Sequence, residues 1–165
     1  MSDFRYEVEI RVPPARVWSV LLDVEHWPEW TTSVSRIQRM EVGPLSMGSR
    51  TRIWQPRLMP AVWCVTSLDD RRRVFGWTTR TFGVKIVGRH QVEAVKNHSR
   101  ICLSLHYTGP LSAIASRLYG ALTRDYLARE GNGLKQFCEN LSANYIPAAA
   151  TARPAQQTHP TAQTS

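Results

Sequence analysis

Two consecutive prolines, Pro13 and Pro14, separate two kinds of backbone at the start of the chain. The alternating stretch before them, residues 4–12, reads as a strand. Proline lacks an N–H and holds φ near −65°, so the pair ends that strand and suits the first turn of a helix. Beyond it, Val17, Trp18, Val20 and Leu21 recur at helical spacing and give one buried face. Asp23-Val24-Glu25 is placed to start a second short helix, in which Pro28 is tolerated only near the first turn.

From Arg36 onward the pattern changes to strands separated by turns. The expected strands are 36–42, 49–55, 61–68, 73–79, 84–95 and 100–108. Gly43–Gly48, Pro56–Pro60, Asp69–Arg72, Thr81–Gly83 and Lys96–Ser99 supply the connections. Short connections of this kind pair each strand with its neighbour. Gly109-Pro110 stops the last strand, and Leu111–Leu141 reads as one long helix. Leu111, Ile114, Ala115, Leu118, Leu122, Tyr126 and Phe137 form its apolar stripe at a period of 3.6. Gly131 and Gly133 interrupt that helix, each at a cost of roughly 1 kcal/mol against Ala. Gly133 lies on the stripe itself, where it either leaves space between helix and sheet or marks a kink. The order is α+β: about seven strands in a curved antiparallel sheet, two short helices after strand 1, and a long C-terminal helix.

Several local patterns now fall in sequence. A Pro-initiated helix carries Val17-Trp18 and Leu21, and Asp23 and Trp27-Pro28-Glu29-Trp30 follow. Gly43-Pro44-Leu45 precedes Gly48-Ser49-Arg50, Trp63 precedes Val65-Thr66, and Gly88-Arg89-His90 sits on the longest strand. In this order the chain resembles the START/Bet v1-like (SRPBCC) superfamily, and within it bacterial polyketide cyclase/dehydrase-like and lipid-transport-like proteins. The resemblance spans Phe4 to about Leu141. It implies a helix-grip fold, with the sheet wrapped around the last helix over a hydrophobic cavity, and hence a protein that holds an apolar small molecule. It is much less specific for any activity.

Composition sets the remaining bounds. At 165 residues the chain fits one domain with a real core, expected at residues 1–145. Residues 146–165 are Ala, Pro, Thr and Gln-rich, too poor in large apolar groups to offset ordering entropy, and read as a disordered tail. The formal charge is +8, carried mostly by arginines scattered over the folded part. A positive surface attracts nucleic acid, anionic lipid or acidic substrates, but no helix concentrates the charge and no RNA-binding motif appears, so a nucleic-acid partner is not expected. The cysteines, Cys64, Cys102 and Cys138, are odd in number and lack ligand spacing. The start of the chain lacks an apolar signal core, and no run is long enough to span a bilayer, so a cytoplasmic protein with free thiols is expected.

Strand alternation identifies which side chains face inward. On the longest strand these are Val84, Ile86, Gly88, His90, Val92 and Ala94. Leu105 and Tyr107 face inward one strand later, Phe75 and Trp77 one strand earlier. Trp63 and Val65 do so on the strand before that, unless a bulge reverses them. Tyr119, Tyr126 and Phe137 come from the last helix. The expected ligand-binding set is therefore Trp63, Phe75, Trp77, Ile86, His90, Leu105, Tyr107, Tyr119, Tyr126 and Phe137. His90 is the candidate for proton transfer or for orienting a ligand's polar end. A buried histidine satisfied by its neighbours is the alternative, since no carboxylate partner is evident in the sequence. Glu130 reads either as a pocket acid or as a surface carboxylate paired with Arg129 or Arg124. Trp27 and Trp30 either gate a pocket mouth or pack the short helices into the open end of the sheet. No HExxH, GxSxG or phosphate loop is present, and no cofactor or metal is expected. The readings left open are a binding protein for a lipid, polyketide or aromatic compound, a polyketide cyclase/dehydratase using the same cavity, and a basic interaction module.

Overall fold

A computed structural model describes residues 2–144, so the expected tail at 146–165 lies outside the described residues. Strand β1 spans Ser2–Ile10, helix α1 spans Pro14–Leu22, and a 3-10 turn covers Val24–Glu29. Strands β2 (Arg36–Arg39), β3 (Arg50–Trp54), β4 (Ala61–Asp69), β5 (Val74–Thr81), β6 (Val84–Val95) and β7 (His98–Thr108) follow, and helix α2 runs Ser112–Asn144. The seven strands make one antiparallel sheet in the order β1-β7-β6-β5-β4-β3-β2. Every hairpin pairs consecutive strands, and β1 closes on β7.

Local chemistry explains the boundaries. Pro14 opens α1 as expected, and Val17, Trp18 and Leu21 are its buried face. Asp23 does not cap the second turn; its carboxylate bonds to His26 Nδ1 at 2.7 Å instead. β2 is shorter than expected because the chain leaves the sheet at Met40 and turns through Gly43, whose φ is +100°. In β4 the register shifts between Val65 and Ser67. Trp63 and Val65 precede the shift and are both buried, so the bulge does not reverse them.

The expected stripe on α2 is only partly the face that packs: Tyr126 is buried and Ala115 and Phe137 pack against the core, but Leu111, Ile114 and Leu118 are exposed. The buried face is Gly120, Thr123, Leu127, Gly131, Leu134 and Cys138, again at helical spacing. Small residues on it let the helix approach β1 closely: Gly120 lies against the Phe4 ring and Gly131 against the Tyr6 ring. Gly133 leaves no space and marks a tight crossing, since a Cβ there would lie 1.9 Å from the Trp30 carbonyl oxygen.

The interior therefore has two ends. At one, Ile10, Val12, Val17, Leu21, Val24, Trp27, Ile101, Leu103 and Leu134 form a solid core beneath α1 and the second half of α2. At the other, the first half of α2 touches β1 and β7 through Gly120 and Thr123 but stands off β4–β6, and Leu111, Ile114, Leu118 and Tyr119 remain exposed.

Candidate functional site

The gap between the first half of α2 and strands β4–β7 is a cleft of about 340 Å³. That volume is near the lower end of the ~300–1,000 Å³ typical of small-molecule sites. Trp63, Val84, Ile86 and Tyr107 form its floor; Leu111, Ala115, Leu118, Tyr119 and Leu122 form its roof. Two connections close the sides: residues 55–60 between β3 and β4, and the β5–β6 turn carrying Phe82. The Tyr126 hydroxyl donates to the Pro56 carbonyl and ties α2 to the first of these connections.

A few polar groups punctuate this apolar lining. Thr123 Oγ1 donates to the Tyr119 carbonyl at 3.0 Å, so the Tyr107 hydroxyl donates to Thr123 at 2.8 Å. Burial raises the Tyr107 pKa above the usual phenol value, with the Thr123 bond partly offsetting it. Burial likewise raises Tyr126, against the nearby charges of Arg129 and Arg57. Both phenols are therefore protonated near neutral pH. Trp63 lines the same space, and its indole N–H is buried with no hydrogen-bond partner among the described residues. Thr51, paired directly opposite Trp63 across β3–β4, also has an unpartnered hydroxyl. Buried donors without partners are costly, so a guest carrying an acceptor gains a bond at little desolvation cost to the site.

Deeper in the sheet, His90 points inward and is only 4% exposed. It has the carboxylate partner that the sequence reading did not find: Nε2 lies 2.7 Å from Glu130 Oε1. Glu130 is free for this role because Arg129 pairs with Asp125 at 2.9 Å and Arg124 lies over the Phe4 ring. Its position one helical turn beyond Tyr126 was the available signal, obscured by Arg129 beside it and Arg124 two turns earlier. The imidazole stacks on Phe75 at 5.2 Å and contacts Trp27 at 5.4 Å and Trp77 at 5.9 Å. Its Nδ1 is buried without a partner. No gap remains beside Gly88, because the Trp77 indole fills it, 2.9 Å from where a Cβ would sit.

The ten expected ligand-binding residues are thus divided. Trp63, Ile86, Tyr107, Tyr119 and Tyr126 line the cleft. Phe75, Trp77 and His90 form a packed aromatic layer behind it, reached through the 5.4 Å contact of Trp63 with Trp77. Leu105 is half-buried against the core but is not part of the lining. Phe137 lies at the opposite end, in a second groove of about 400 Å³ shared with Arg16, Asp23, His26, Glu29 and Trp30. The angular position of Phe137 on α2 carries it past β1 toward α1, away from the sheet's concave face. That groove is rimmed by charge, and its His26 has a raised pKa because of the Asp23 hydrogen bond. Trp27 packs under the sheet with its N–H donating to the Leu21 carbonyl at 3.0 Å, which is the packing role and not a gate. The cleft lining the sequence reading missed is the residue 55–60 connection and Phe82, which have no periodic signal.

No group of His, Cys, Asp or Glu among the described residues is arranged to hold a metal ion. The three cysteines are unpaired. No helix among the described residues is long and apolar enough to cross a membrane.

A curved antiparallel sheet gripping one long helix over an apolar cleft is the helix-grip, Bet v1-like fold. Residues 1–145 match the family described as polyketide cyclase / dehydrase and lipid transport, and the chain belongs to it. Among solved structures it is similar to the Zhui aromatase/cyclase from Streptomyces sp. R1128, with TM-score 0.74 and 16% identity over 88% of this chain and 99% of that one. It is also similar to major latex-like protein 151 from Panax ginseng, with TM-score 0.69 and 12% identity over 82% and 96%. A third is Ara h 8.0201, with TM-score 0.63 and 14% identity over 84% and 98%. Identities this low speak to the fold alone. No curated protein sequence matches the chain.

Proposed function

We propose that this protein binds an apolar small molecule bearing a hydrogen-bond acceptor, such as a polyketide, lipid or aromatic ketone, in the cleft between α2 and β4–β7. The observation that carries this reading is a largely apolar cleft of about 340 Å³ with a few polar groups in its lining and, just beneath its surface, the unpartnered N–H of the lining residue Trp63. Burial of apolar surface supplies the drive, about 25 cal/mol per Å² before ordering costs. The indole N–H then fixes orientation. Family membership and the aromatase/cyclase neighbour support the same class of guest. Native mass spectrometry of the freshly purified protein, with fluorescence titration of a naphthol, tests it. A retained or titrated guest whose affinity falls at least tenfold in Ile86→Asp supports it. Absence of both a retained guest and naphthol binding refutes it.

A second reading, catalysis on a poly-β-ketone, is favoured by one observation: the buried His90–Glu130 pair is a histidine with an orienting carboxylate. Such a pair can move a proton during aldol closure or loss of water, while the cleft holds the chain in a reactive fold. Trp77 stands between the pair and the cleft floor, so this reading requires the indole to turn aside. Turnover of a model polyketide that disappears in His90→Ala and Glu130→Gln but survives in His106→Ala supports it. Equal turnover in all three variants refutes it.

A further inference from the structure

The mouth of the cleft has a surface chemistry that binding a guest does not require. Six of the ten large apolar side chains left exposed among the described residues rim this one opening. Phe82 is 86% exposed, Met59 80% and Leu118 70%. They come from three separate segments: the β3–β4 connection, the β5–β6 turn and the first turns of α2. Convergence of exposed apolar groups from three segments marks an interaction surface, whereas scattered single residues do not.

Phe82 is the most telling of them. The β5–β6 hairpin has a two-residue turn, Phe82-Gly83, with φ of 43° and 75°. A turn with two positive φ values favours Asn, Asp or Gly at its first position. A bulky aromatic there is strained, and such strain persists where a site uses it. The turn gains no packing from the ring, which stands in solvent at the tip.

Charge surrounds these tips with one sign. Residues 55–61, 79–86 and 107–119 contain Arg57, Arg80, Lys85 and Arg117 and no carboxylate. None of the four cations is in an ion pair among the described residues, whereas Arg5, Arg11, Arg50, Arg72, Arg100 and Arg129 are paired. Arg80 and Lys85 are opposed across the hairpin, just behind Phe82.

We infer that the mouth docks on an anionic lipid bilayer. Phe82, Met59 and Leu118 enter the headgroup–acyl boundary, and the four cations lie at the depth of the lipid phosphates. Apolar insertion combined with attraction to anionic lipid is the chemistry of interfacial binding. Docked in this way, the cleft opens directly into the acyl phase, so an apolar guest enters without crossing water. That use of the surface rests on the proposed binding function; the docking itself does not.

Flotation with vesicles of phosphatidylcholine containing phosphatidylglycerol tests the inference on the full chain. Binding is expected to anionic vesicles and not to pure phosphatidylcholine, and to weaken with added salt. Each mouth cation removed should lower partitioning roughly fivefold, so Arg57→Gln with Arg117→Gln should lower it roughly 25-fold. Phe82→Ser with Leu118→Ser should abolish flotation, while Phe82→Asn, which suits the turn, preserves folding and still weakens it. Arg72→Gln, on the far β4–β5 turn, should change nothing. No flotation on anionic vesicles overturns the inference, as does flotation indifferent to the mouth variants. A concentration-dependent dimer that the mouth variants disrupt, without vesicle binding, overturns it in favour of a second copy on this face. Naphthol titration without vesicles is the separating control: a guest bound in solution with no flotation leaves the binding function standing and removes only the docking.

Discussion

Gly133→Ala provides a sharp test of how α2 meets the rest of the molecule. An ideal Cβ at this position lies 1.9 Å from the Trp30 carbonyl oxygen and 3.0 Å from its carbon, where real Cβ contacts essentially never fall below 3.0 Å. The obstacle is backbone, and it is held in place: the Trp30 and Thr31 N–H groups both donate to the Trp27 carbonyl, at 3.1 and 3.0 Å. Overpacking costs about 1–3 kcal/mol even where side chains can yield, so a backbone obstacle belongs at the upper end. Replacing Gly by Ala inside a helix returns about 1 kcal/mol. The net expectation is a loss of about 2 kcal/mol. Gly131→Ala is the internal comparison, because its Cβ would meet side chains and no backbone: the Tyr6 ring at 2.7 Å and Val8 Cγ1 at 3.4 Å. Tyr6 is a half-buried side chain that can tilt, though its hydroxyl donates to Asn132 at 3.0 Å, so the contact costs about the lower end of that range, the helix gain offsets most of it, and the net loss stays under about 1 kcal/mol. Urea unfolding followed by tryptophan fluorescence measures both. A Gly133→Ala protein as stable as the parent, or more stable, would mean that open space lies beneath this turn and that the helix crossing is misplaced.

Other expectations follow from single contacts. Trp18→Ala should destabilise by roughly 3–5 kcal/mol, since the side chain is buried and its N–H donates to Asp70 at 3.0 Å. Trp18→Phe, which loses chiefly that bond, should cost about 1 kcal/mol in the same assay. Glu130→Ala leaves both nitrogens of a buried imidazole unpartnered and should cost about 2 kcal/mol, whereas His90→Phe with Glu130→Leu should unfold near the parent midpoint. Burial opposes ionisation of Glu139, yet Lys135 and the Arg11 N–H lower its pKa to about 2 from 4.5. A depressed carboxyl contributes stability above its unfolded pKa and loses it on acidification, so stability should fall from about pH 4.5 toward pH 2. In Glu139→Gln that acid slope should be shallower by one proton, measured as the pH dependence of the urea midpoint.

Much of the fold was legible because its signals are local. Period-2 alternation located every strand of the sheet and placed His90 on the inner face, and Pro14 marked the start of α1. The packing of α2 was not legible. Its buried face runs through Gly120, Thr123 and Gly131, residues chosen for small size against Phe4 and Tyr6, so hydropathy pointed to a different stripe. The conspicuous stripe, Leu111 to Leu122, is apolar because it roofs a cleft and faces partly outward. Glu130 was hidden for a similar reason. Arg129 and Arg124 offered surface partners; the i,i+4 pairing of Arg129 with Asp125 was available in the sequence, but the place of Arg124 over Phe4 and the reach of His90 to Glu130 are long-range. Whether an aromatic lines a cavity or fills a core depends on separations of an ångström or two, which alternation does not encode. Trp63 and Trp77 share the inner face and differ in this respect.

The indole N–H signals in a two-dimensional ¹H–¹⁵N spectrum, followed as a naphthol is added, bear most directly on the cleft. Trp27 and Trp18 donate to Leu21 and Asp70, whereas the Trp63 N–H at the cleft and the Trp30 N–H at the far groove have no partner, so the two report on the two ends separately. The Trp63 resonance should move downfield and saturate, with Tyr107, Tyr119 and Ile86 shifting alongside it and Trp18 unmoved. Shifts centred on Trp30 and Phe137 at the far groove, with Trp63 unchanged, would contradict binding between α2 and the sheet.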